Sequence, residues 1–152
     1  MLCVSLIAWM PERRNAKDRA RTVPALGVTN YDYCRNVYWV MGEIDRKDVD
    51  VMRYRDIASI IVETAKGYHI YTKLSYPSPF RAIREALRLG LDRGQIRMAI
   101  KRYRKYNDKD SAYLVLRVRG KYTYKDIKVI YVDWSFIKES EWHQQVLELL
   151  TR

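Results

Sequence analysis

Between residues 59 and 74 two apolar runs, "SIIVET" and "GYHIYTKL", meet at Ala65-Lys66-Gly67. Extended runs broken by a glycine-containing turn predict a β-hairpin over 59–64 and 67–74, with Gly67 free to take a positive φ. Alternating or continuous apolar stretches predict further strands at 2–10, 36–45, 112–119 and 126–133, the last two joined around Gly120. Helical spacing replaces alternation in "SPFRAIREALRLG", where Ser78 reads as N-cap, Pro79 as first helical residue and Gly90 as stop. A second helix, "DRGQIRMAIKRYRKY", opens on Asp92 with Gln95 three residues on. Its Ile96, Ala99, Ile100 and Tyr103 form an apolar stripe, and Arg93, Arg97, Lys101 and Lys105 a basic one. "DVMRYRDIA" reads as a short helical link. A last helix covers 136–150, and its Trp142, Leu147, Leu149 and Leu150 are suited to pack on the sheet. Residues 11–33 are polar and basic and read as a loop or arm. Strands and helices in blocks predict an α+β fold: one domain over 1–152, with a mostly antiparallel sheet, packed helices and a core at 36–133.

The charge changes this picture more than the composition does. At 152 residues the chain can bury a core without staples, but its net charge is +11 and its pI about 9.7. Such a surface attracts polyanions, so nucleic acid is the expected partner. No basic amphipathic helix with a Trp/Phe/Leu face points to a membrane. Cys3 and Cys34 match neither a disulfide framework nor a zinc spacing, so no zinc is expected. The apolar start lacks a basic leader region and reads as a strand, which suggests a cytoplasmic protein. Only four Asn and three Gln hint at a heat-adapted source.

Three places could carry chemistry. Glu43 and Asp45 share one face of a strand, where two carboxylates raise each other's pKa unless a hard cation such as Mg2+ or Mn2+ lies between them. The same E-x-D is equally a solvated strand end, and Asp48 and Asp50 form a rival pair that reads as a helix start. In 68–74, Tyr68, Ile70, Thr72 and Leu74 suit a core, while His69, Tyr71 and Lys73 suit a wet, anion-facing surface. His69 is there either a phosphate donor or an ordinary strand residue. In "AYLVLRVRG", Arg117 and Arg119 flank one face beside Tyr113, as a phosphate and base platform or as an exposed face guarded by cations.

"VETAKGYHIY" resembles the S-x-x-G-Y-H motif of the archaeo-eukaryotic primase superfamily, which includes small primase subunits and plasmid or viral primase-polymerases. "VMGEID" resembles its D-x-D metal motif, and "DKDSAYLVLRVRGKYTYK" its third region. The resemblance spans roughly 37–130. It implies an RRM-like core performing two-metal nucleotidyl transfer in DNA replication. Glu43, Asp45 and Asp110 would hold Mg2+ or Mn2+, with Asp108 or Asp133 as other third carboxylates. His69 would meet the nucleotide's phosphates, Lys66 and Gly67 would shape the turn, and Arg117 and Lys125 would bind nucleotide or template phosphates. The basic stripe and Arg119 would bind the strand. Implied partners are single-stranded or primed DNA, or RNA, and nucleoside triphosphates; a helicase or primase subunit stays open. The sequence departs from the pattern at Glu43 for the first aspartate, Thr64 for serine, Arg119 for proline and Lys121 for Ser/Thr. A non-catalytic nucleic-acid-binding replication accessory on the same fold is the alternative.

Overall fold

A computed structural model describes residues 1–9, 25–119 and 127–152. The strands are β1 (Leu6–Trp9), β2 (Ala25–Thr29), β3 (Tyr31–Asp32), β4 (Val37–Ile44), β5 (Ala58–Thr64), β6 (Tyr68–Tyr76), β7 (Val115–Arg119) and β8 (Ile127–Val132). The α-helices are α1 (Pro79–Arg88), α2 (Arg93–Tyr106), α3 (Trp134–Ile137) and α4 (Glu141–Thr151). The expected link at 50–58 is a single 3-10 turn at Val51–Tyr54.

The α+β class is as expected, but the strands form two antiparallel sheets rather than one. Their orders are β1-β2-β7 and β3-β4-β6-β5-β8. Val40, Met41, Gly42, Ile70, Tyr71 and Thr72 are all buried on the two middle strands. A strand apolar on both faces must be covered on both. Helix α1 packs on β4 and β6, and α4 packs against β7 and β8. Trp39 meets Trp142, His143 and Phe136 in an aromatic cluster beneath α3 and α4. The break between these two helices at Ser140 replaces the single expected helix; Ser140 caps α4, and its hydroxyl lies 2.7 Å from His143 Nδ1. Trp142 and Leu147 are buried within the chain, as their spacing suggested.

Several expectations are corrected. Residues 25–29 and 31–32 are strands rather than loop, while 10–24 lie outside the described residues. Buried Asn30 explains why they order: its side chain donates to Trp39 O at 2.9 Å and accepts from Leu114 N at 2.8 Å, joining the two sheets. β7 and β8 are not partners in one hairpin but belong to different sheets, and the turn at 120–126 lies outside the described residues. Cys3 and Cys34 form a disulfide with Cα atoms 5.0 Å apart, against the expectation that they stay unpaired. The backbone brings them together, since Tyr33 N donates to Cys3 O.

Gly67 is required for a reason other than positive φ. A Cβ there would lie 1.8 Å from the carbonyl oxygen of Ile44. The hairpin turn therefore packs backbone to backbone against the end of β4, and this sets the position of Lys66.

Candidate functional site

The register of β4 and β6 places Glu43 directly opposite His69. Residues so paired share a sheet face, and His69 Nε2 lies 3.7 Å from Glu43 Oε2. The expected wet face is not what surrounds this histidine. His69 is 4 % exposed and Tyr71 fully buried, and Arg117 of β7, on the second sheet, lies close enough for its charge to act on both. Burial, and after it the charge of Arg117, pull the His69 pKa down to about 3. The Arg117 backbone offsets part of this, yet among the described residues no partner stands at hydrogen-bonding geometry to Nδ1. His69 is thus a neutral imidazole at physiological pH. Its neighbour Glu43 is shifted the other way, its pKa raised by burial first and then by Asp92 and Asp45, while Arg117 and Lys66 oppose.

The sequence marks Asp92 only as a helix cap. It does cap α2, accepting from Gly94 N at 2.7 Å, but its own amide donates to Glu43 O at 2.7 Å. The end of β4 thus carries Glu43, Asp45 and Asp92 together with His69, Lys66 and Arg117. A clue lay in Gly42, whose missing side chain leaves room for Leu91: a Cβ there would be 2.9 Å from Leu91. That close approach brings the start of α2 to the strand.

The expected third carboxylates lie elsewhere. Asp110 is near Tyr38, whose hydroxyl donates to it at 3.3 Å. Tyr38 and Glu43 are five residues apart on β4, roughly 16 Å along an extended strand. Asp108 caps a short turn, accepting from Asp110 N at 3.0 Å. Asp133 pairs with Lys73 at 2.5 Å and caps α3. Of the rival pair, Asp48 is bound to Arg46. Lys125 lies outside the described residues. Arg119 ends β7, half-buried, opposite Leu26. Arg93, Arg97, Lys101 and Lys105 are all exposed on α2.

In donor chemistry Glu43, Asp45 and Asp92 suit a hard divalent cation, since three carboxylates acting on one another are what such an ion neutralises. They are not gathered as a finished site. Among the described residues the one trio of metal-ligating side chains with donor atoms within 4.8 Å is Cys3, Asp32 and Cys34. That trio is committed otherwise: the sulfurs are bonded, and Asp32 accepts from Cys34 N, Arg35 N and Trp39 Nε1.

No helix among the described residues is long and apolar enough to cross a membrane. Comparison of the chain with known families, with characterised proteins and with solved structures finds no match to any of them.

Proposed function

We propose that the protein binds nucleic acid, as a replication accessory with a primase-like arrangement of strands. One observation carries this reading. Arg93, Arg97, Lys101 and Lys105 stand exposed along α2, and among the described residues none of them is in an ion pair. On a chain of net charge +11 such a row is free to neutralise phosphates and release counterions. Binding to single-stranded DNA should weaken steeply with salt. Replacing the four cations by alanine should lower the log–log salt slope by about 3 to 4. Unchanged affinity and slope in that variant would sink the assignment to α2.

A second reading, template-directed nucleotidyl transfer, is favoured by a different observation. Glu43, Asp45, His69, Lys66 and Arg117, all implied by the primase resemblance, lie at one end of β4, with Asp92 in place of Asp110. Glu43, Asp45 and Asp92 would hold Mg2+ or Mn2+, which would supply charge neutralisation at a transferring phosphate. The chain's own part would be Lys66 and Arg117 orienting the triphosphate. Primer synthesis with Mn2+ and nucleoside triphosphates tests it, comparing wild type with Asp45→Ala and His69→Ala. Equal product from all three rules the catalytic assignment out.

A further inference from the structure

A second feature of the molecule lies away from His69. It is a cleft of about 610 Å³ at the opposite end of β4, where β3 and β4 meet the turn before β7. Four of the chain's 13 tyrosines line it: Tyr31, Tyr33, Tyr38 and Tyr113. The Tyr31 ring stands edge-on to Tyr33 at 4.7 Å and tilted against Tyr38 at 4.9 Å. Tyr33 is 61 % exposed, an uncovered aromatic face at the mouth. Tyr113 is held from behind by Arg102, whose guanidinium lies 4.1 Å from the ring centre and donates to the Ser111 and Tyr113 carbonyls. Lys109 and Asp110 also line it.

We propose that this tyrosine cleft takes an unpaired nucleobase of a bound single strand. Three features favour a base over other ligands. Fixed, partly open aromatic rings offer a stacking platform that every base can use. Asp110 repels a phosphate but accepts from an N–H on a base edge, an exocyclic amine or thymine N3–H, so the ring end is what enters. The third feature is position. Helix α2 is capped at its start by Asp92, whose amide donates to Glu43 O, and at its end by Asn107, one residue before the turn that carries Lys109 and Asp110. It therefore spans the same interval as β4, and its exposed cations run from the His69 end to the cleft. A strand following those cations by its phosphates arrives with its bases at the tyrosines.

This inference rests on the nucleic-acid reading, and the test separates the two. The full-length protein is titrated with a short oligo(dT) and with an oligomer of equal length and charge whose residues are abasic. Wild type should bind the abasic strand at least about 5-fold more weakly, and Tyr33→Ala should lose about 5- to 150-fold on oligo(dT), the range for one stacked base. Tyr33→Phe should keep wild-type affinity, since stacking needs no hydroxyl. The salt slope should stay the same in both variants. Equal affinity of wild type and Tyr33→Ala, with a steep salt slope retained, overturns the cleft assignment and leaves nucleic-acid binding standing. So does equal binding of the abasic strand. Failure of wild type to bind either strand at low salt overturns both.

Discussion

The two ends of β4 solve opposite problems with the same strand. At the Glu43 end, ionisable groups are driven under a second sheet: His69 is buried and neutral, and Glu43 holds its proton more tightly than a free carboxyl. At the Tyr38 end, aromatic rings that could have been core are left around an open cleft. Tyr38 itself is pushed well above its usual range, by burial first and then by Asp110, so it stays a hydrogen-bond donor. A buried titratable group costs stability and gains sensitivity to pH; an open aromatic cleft gives up burial and gains access. A site that must receive a macromolecule is better placed at the second kind of end.

The sharpest way to break this contrast is acid. His69 and His143 both have pKa values lowered to about 3, by burial first, against 6.5 when exposed. Folded values below unfolded ones mean that the unfolded chain binds more protons, so stability is present above pH 6.5 and lost as pH falls towards 3. The cost is about 1.4 kcal/mol per pH unit for each ring, or about 5 kcal/mol for both over two units. Glu43 acts in the opposite sense: its raised value favours the folded form as pH falls through the window above 4.5. Urea unfolding across pH 4.5–6.5 measures the sum. His69→Asn should remove close to half of the histidine slope, and a slope unchanged by that substitution would mean the imidazole is not buried neutral.

Gly67→Ala tests the same end by packing. Its Cβ would meet the Ile44 carbonyl, and because neither backbone can yield cheaply, a loss of about 2 to 4 kcal/mol is expected by calorimetry or denaturant melting. An alanine tolerated there would show that the turn does not rest on β4. At the other end the effect should nearly vanish. Tyr33→Ala, at a ring 61 % exposed, should shift unfolding by no more than about 0.5 kcal/mol. A larger loss would make the cleft part of the core rather than an opening.

What the sequence disclosed, and what it hid, follows the range of the forces. The hairpin was readable from its two extended runs, and the starts of α1 and α2 because Pro79 and Asp92 act on residues within a few positions. The proximity of His69 to an acidic strand end was implied only by the primase resemblance, and the pairing of Glu43 with His69 across β4 and β6 provides it. The burial of His69 was not readable, since it is set by residues distant in sequence: Arg117, which acts on it, is 48 positions away and on a different sheet. Asp110, implied as a third carboxylate by the primase resemblance, lies at the Tyr38 end, where α2 carries the chain back. The short strand at 25–29 was hidden by its glycine and its length, and is stabilised by Asn30, a residue with no local signal.

The Cys3–Cys34 bridge closes a loop over a separation of 31 positions, and β1 pairs with β2 inside it from Leu6↔Val28 to Trp9↔Ala25. The basic stretch at 13–21 is therefore covalently part of a closed ring, attached at both ends, and not a tail. A single peptide-bond cleavage anywhere between residues 10 and 24 would not release a fragment. The two pieces would migrate as one on a denaturing gel and separate only after reduction, so cleavage and loss of the N-terminal strand are chemically uncoupled events in this protein.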